Sequence, residues 1–267
     1  MPFVTKKLLV GRIKRYSTRF KRKLEEFCTN PTSRNIHDIR TSTRRLLNSY
    51  SLLNKESERK SEINKYIKLS KRLFKYNSDV RDIDIVCHHL KLYKNTESYR
   101  LQQYLKTKRE RKLKATITLG LQLKNMNLPD INGEYLSTRK IQSKFAKKKS
   151  RLQDRVIRDI PIVTLDPLKI KELHELRKNS KKLRYLLELL PKDDKSISKL
   201  INIQDKLGLI HDFDITIAFL ERCKQNTMTQ NIISSETHQR NDEFRKFSIS
   251  VKKFGDGNDK SFAQSIV

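Results

Sequence analysis

The sequence has no tryptophan, three cysteines, and only six glycines and six prolines. So few glycines and prolines leave few places for tight turns, and the lysine, leucine, arginine and glutamate that dominate instead favour long helices. Strict alternation of apolar and polar residues is nowhere sustained, so strands are not expected. Cys28, Cys87 and Cys223 have no paired spacing and form no CxxC, which argues against a disulfide framework and a zinc site. Without tryptophan, and with tyrosine and phenylalanine mostly on apolar seams, platforms for stacking bases are not evident. No GxxxxGK[ST] loop is present to cradle nucleotide phosphates, and no acidic strand pattern to hold the magnesium of a triphosphate hydrolase. Long apolar runs are also missing. The opening MPFVTKKLLVGRIKRY is broken by lysine and arginine and fails as a signal peptide, and no stretch suits a bilayer span. A reduced, cytoplasmic protein is the expectation.

Negative charge is scarce as well. Sixty lysines and arginines stand against thirty acids, a formal net charge of +30. A compact chain so charged repels itself unless a polyanion neutralises part of it. Nucleic acid, an anionic membrane and a phosphate polymer are the candidate partners. Apolar residues make up 36%, enough for a thin core between amphipathic helices.

The pattern predicts helices over 3–28, 31–53, 57–76, 79–93, 96–125, 137–159, 167–190, 194–207, 210–223 and 229–253. The segment NMNLPDING within a linker at 125–136 separates a first half, 1–128, from a second, 137–253, and 254–267 read as a flexible tail.

Two stretches carry the most information. IHDIRTSTRRLLNSYSLL, 36–53, and LHELRKNSKKLRYLLELL, 173–190, share an apolar residue, a histidine, two residues, then an arginine and basic pairs before leucine. Asn30-Pro31 and Asp166-Pro167 precede them, which predicts a side-chain N-cap with proline at the first helical position. Each has one apolar seam at 3-4-3-4-3 spacing: Ile36, Ile39, Thr43, Leu46, Tyr50 and Leu53, then Leu173, Leu176, Ser180, Leu183, Leu187 and Leu190. The small residue at the third place allows another helix to pass closely. On the opposite face stand His37, Arg40, Thr41 and Arg44 with Arg45 at the flank, and His174, Arg177, Lys178 and Lys181 with Lys182 and Arg184.

The i, i+3, i+7 spacing stacks a histidine and two cations along one side. Such a row disfavours an isolated helix, and its repetition suggests use. Guanidinium forks two hydrogen bonds onto phosphate oxygens, lysine supplies a mobile point charge, and histidine adds a donor that charges near neutral pH. Metal binding would need a second ligand one turn away, where arginine stands, so no metal or other cofactor is expected.

A second echo follows each motif helix: DVRDIDIV at 79–86 and LIHDFDIT at 209–216. On a helix the two carboxylates of Asp82/Asp84 or Asp212/Asp214 lie about 200° apart and cannot close on one ion. Asp82 and Asp212 are therefore assigned a supporting role, orienting a histidine or arginine of the neighbouring helix. The paired motifs together read as an internal duplication.

At IHDIRTSTRRL, DVRDIDIV, LHELRKNSKKLRYLLELL and LGLIHDFDITIAFL the chain resembles the CHAD (conserved histidine α-helical domain) family, over most of 5–253. The resemblance implies an all-α fold of two pseudo-symmetric antiparallel bundles enclosing a basic central cavity. It also implies a stand-alone, non-catalytic binder of inorganic polyphosphate, and association with polyphosphate granules. Matched to the family motif, the ligand-facing residues are His37, Arg40, Arg44, Arg45, His174, Arg177, Lys181, Lys182 and Arg184, with Lys178 added from the row. Leu47 departs from the pattern where the second half has Arg184, so the two halves are expected to grip unequally. Non-specific nucleic-acid binding is the rival reading, and polyphosphate hydrolysis a further one.

Overall fold

The computed structural model describes residues 3–53, 60–127, 131, 133–134, 136–191, 194–224 and 226–252. Among these residues there are eight α-helices and no strand: α1 Lys6–Thr29, α2 Ser33–Tyr50, α3 Lys60–Leu90, α4 Thr96–Lys124, α5 Thr138–Leu165, α6 Ile170–Leu187, α7 Asp194–Leu220 and α8 Thr227–Lys252. The all-α expectation holds. The chain divides into two compact units, Met1–Lys91 with Ser98–Phe145, and Leu92–Glu97 with Ala146–Val267. The connection from Lys124 to Thr138 covers the expected linker, while the tail 254–267 lies outside the described residues.

In the first unit α2 packs against α1 and α3. Its whole apolar seam is buried, with Ile36, Ile39 and Leu46 fully so, facing a core that includes Phe20, Phe27 and Leu73. Burying each such side chain contributes about 1.5–3 kcal/mol. Helix α4 crosses α1 at Gly120, where a Cβ would sit 2.8 Å from Cys28 Sγ and 3.2 Å from the Phe27 ring. The close approach accounts for a residue that otherwise weakens a helix.

In the second unit α7 packs against α6 and α8. The α6 seam is buried from Leu173 to Leu190. At Ser180 on that seam, Gln204 Nε2 of α7 donates to the backbone carbonyl at 2.9 Å. Asn179 Nδ2 donates to Asp159 Oδ2 at 3.3 Å and ties α6 to α5.

Several element boundaries differ from the sequence reading. The helices expected at 57–76 and 79–93 are one helix, α3, whose described span begins at Lys60. Asn77 and Ser78, which fall between the two expected helices, lie within it: Ser78 Oγ donates to the Phe74 carbonyl at 2.9 Å and Asn77 is buried. Likewise 194–207 and 210–223 merge into α7, which runs through Gly208 without a positive φ. Helix α5 continues past the expected stop, through the exposed Pro161, to Leu165. A proline one turn from a helix end removes a single backbone bond, and at the surface that loss is tolerated.

The prolines before the motif helices are not their first residues. Helix α2 begins at Ser33, capped by Thr32, whose Oγ1 accepts from the Asn35 amide at 3.1 Å. Helix α6 begins at Ile170 with no side-chain cap, and Asp166 instead accepts from the Leu168 amide at 2.8 Å within the preceding turn. The Pro31 and Pro167 carbonyls just before these helices accept from arginines of distant helices.

Candidate functional site

Helix α2 turns its seam inward and leaves the basic row on the other side. The row is not a fringe of loose side chains. Arg40 Nη1 donates to Ser78 Oγ at 2.6 Å and to the Phe74 carbonyl at 3.2 Å. The Arg40 and Arg44 guanidinium carbons lie 4.6 and 4.9 Å from the centre of the Phe74 ring. Stacking uses the flat face of a guanidinium and leaves its in-plane N–H groups for oxygen acceptors. Helix α3 thus fixes the direction of both arginines. Arg45 stands half-buried at the flank, and Thr41 Oγ1 is bonded to the His37 carbonyl at 3.0 Å.

His37 is exposed, yet its imidazole pKa is lowered. Desolvation is the main cause, Arg81, Arg44 and Arg40 push the same way, and Asp38 opposes them. Arg81 comes from α3 and also donates to Ser33 Oγ at 3.0 Å.

In the second unit the row on α6 meets a different neighbour. His174 Nδ1 lies 3.3 Å from His211 Nδ1 of α7, with ring centres 4.7 Å apart. His211 stands where Arg81 stands in the first copy of the aspartate motif. The His174 pKa is also lowered, first by desolvation, then by Lys178 and Arg177, against Glu175 and Asp214. Lys178 is paired with Glu175 on the surface, an exchangeable contact worth little. Lys181 is half-buried and Lys182 exposed. Arg184 sits 4.7 Å over the Tyr185 ring with Nε 3.6 Å from Glu188, so it turns back along its own helix.

The second aspartate of each pair holds an arginine. Arg109 Nε of α4 donates to Asp84 Oδ1 at 2.6 Å, and its Nη2 to the Pro31 carbonyl at 3.0 Å. Arg240 Nε of α8 donates to Asp214 Oδ1 at 2.7 Å, and its Nη2 to the Pro167 carbonyl at 2.9 Å. Each clamp joins three elements and fixes the chain just before a motif helix. Burial raises the Asp214 pKa despite Arg240 and His174, which pull it down. Asp82 and Asp212 are half-buried on the same helices, α3 and α7.

Sequence reasoning weighed Asp84 and Asp214 but gave the supporting role to Asp82 and Asp212, and it passed over Arg81, His211, Arg109 and Arg240. The signal for the clamps was present: the arginine follows its aspartate by 25 residues in one copy and 26 in the other. Among the described residues no group of three His, Cys, Asp or Glu side chains converges as metal ligands. No described helix is long and apolar enough to cross a membrane.

The model of the CHAD domain matches residues 17–221. The chain belongs to the CHAD domain family. Several solved chains share its fold. A CHAD domain from the plant Ricinus communis is 14% identical, covers 92% of each chain and superposes with a TM-score of 0.65. PptA from Streptomyces chartreusis is 15% identical over 94% of this chain and 98% of its own, with a TM-score of 0.57. No curated protein matches. In this CHAD domain the duplicated histidine motifs head the equivalent helices α2 and α6, and each has its own arginine clamp.

Proposed function

We propose that this CHAD protein binds inorganic polyphosphate, without catalysis, through the basic rows of its two units. The observation that carries the reading is that each unit holds a histidine and its neighbouring cations on one helical face, steered by the long helix beside it. Arg40 and Arg44 are aimed by Phe74 and Ser78, and His174 is held by His211. The family is associated with polyphosphate, and the net charge of +30 calls for a polyanionic partner. His37, Arg40, Arg44, Arg45, His174, Arg177, Lys178, Lys181 and Lys182 are the contact residues in this reading, with Arg184 contributing once Glu188 lets go. Asp82 and Asp212 orient their neighbours.

Binding is electrostatic: phosphate oxygens replace water and counterions around arginine, lysine and protonated histidine. The test is a titration with long polyphosphate, short oligophosphates and RNA at matched charge and salt. Polyphosphate is expected to bind more tightly than RNA and to displace it. Tighter binding of RNA makes the protein a nucleic-acid binder, and magnesium-dependent phosphate release makes it a hydrolase. Either result sinks the proposal.

A further inference from the structure

A cleft of about 430 Å³ opens in the first unit between α3 and α4. His88 and Lys91 line it from the α3 side, and Lys106 and Arg109 from α4. The carboxylate in its wall, Asp84, already holds Arg109. No ion pair of Lys91 or Lys106 occurs among the described residues. The side-chain amides of Gln102 and Gln103 add neutral donors to the wall. The cleft therefore carries an excess of positive charge and of N–H groups.

It also adjoins the basic row. Ser33, at the start of α2, lines the cleft and accepts from Arg81 at 3.0 Å, and Arg81 in turn acts on His37. Asp84 and Lys91 are seven residues apart, so the wall runs about 10 Å along α3 to just beyond its last turn.

Comparison with the second unit shows that helix packing does not require this lining. The clamp pair Asp84 and Arg109 corresponds to Asp214 and Arg240. In that register His88, Lys91 and Lys106 correspond to Ala218, Glu221 and Thr237. The duplicated fold has kept the clamp in both copies and the cations in one. Cations that the fold can do without, gathered in a cleft, point to a ligand.

We propose that this cleft binds the terminal phosphate of a polyphosphate chain, as a subsite beyond the row of His37, Arg40 and Arg44. The inference rests on the polyphosphate reading above. An internal phosphate carries one charge and two unbridged oxygens. A terminal phosphate has three unbridged oxygens and takes up a second charge with a pKa of about 6, as a phosphate monoester does. Two ammonium groups with three donors each, flanked by amides and a histidine, match that demand. The same group is offered by a free short oligophosphate and by the end of a long chain, and the assignment here is to the chain end.

The experiment uses the whole protein and polyphosphate of one defined length, with ends either free or capped as phosphoramidates. Dissociation constants are compared for the parent and for the Lys91→Glu, Lys106→Thr double variant, which carries the second unit's residues. A thermal melt confirms that the variant is folded. Capping is expected to weaken binding to the parent about tenfold, the worth of one charged hydrogen bond, and to leave the variant's affinity unchanged. No effect of capping on the parent, or an equal effect on both proteins, overturns the inference while the polyphosphate reading stands. Inorganic triphosphate is the remaining arm. If its binding depends on Lys91 and Lys106 while capping has no effect, the cleft takes a free small phosphate and the chain-end assignment falls. Failure of the parent to bind either polymer removes the underlying reading, and this inference with it.

Discussion

Arg240 and Asp214 meet at 2.7 Å in the interior of the second unit, with only 5% of the arginine side chain exposed. The guanidinium also reaches the Pro167 carbonyl, so one side chain ties α8, α7 and the entry to α6 together. Arg240→Ala strands a buried carboxylate and a carbonyl at once. We expect a loss of about 3–5 kcal/mol in denaturant unfolding. Arg109→Ala, whose side chain is 23% exposed, is expected to cost less. Equal losses would mean that burial does not set the worth of the clamp.

The rows are tested against bulk charge. Arg40→Ala with Arg177→Ala is expected to weaken polyphosphate binding far more than Lys68→Ala with Lys71→Ala, two exposed lysines of α3. Each lost charged hydrogen bond is worth about 1.5–3 kcal/mol, against little for a solvated lysine. Arg40 also bonds Ser78, so the melting temperature of each double mutant is measured beside the binding constant. Equal effects on binding would leave net charge as the sole determinant.

The histidines give opposite pH signs to stability and to binding. In the free protein the pKa values of His37 and His174 are lowered, mainly by desolvation and then by neighbouring cations. A base with a depressed folded pKa stabilises the fold above its unfolded value of about 6.5, and that contribution is lost as pH falls through the folded pKa. Thermal stability without ligand is therefore expected to fall below about pH 6.5. A bound polyanion raises the same pKa values, so protons are taken up on binding and affinity rises from about pH 8 to 6. The groups that face the imidazoles are Asp38, Arg40, Arg44 and Arg81 for His37, and Glu175, Arg177, Lys178, His211 and Asp214 for His174. A pH series with a His37→Gln, His174→Gln double mutant decides the matter. The same affinity slope in mutant and parent assigns the histidines to packing or fixed donation.

The first unit extends beyond the linker. Ile131, Leu136, Ile141 and Phe145 are buried, Ile141 completely, and Lys144 donates to the Leu53 carbonyl. A fragment of residues 1–128 lacks all five. Its melt, followed by circular dichroism, is expected to be broad and well below that of the whole chain. A sharp, independent transition would show that these residues are dispensable to the unit.

The helical class, the two seams and the faces of the two rows were legible in the sequence, because a 3.6-residue period writes burial directly onto spacing. Every seam residue from Ile36 to Leu53 and from Leu173 to Leu190 is buried. The extent of α3 and α7 was not legible. Asn77, Ser78 and Gly208 have local preferences for turns, and packing along the helix overrode them. The pairings that shape the site were decided only in three dimensions. Arg109 finds Asp84 across 25 residues, and His174 finds His211 across 37. The corresponding residue in the other unit is Arg81. Spacing along one helix fixes which side chains share a face; which residue of another helix stands opposite them depends on how the helices pack, and no local period records that.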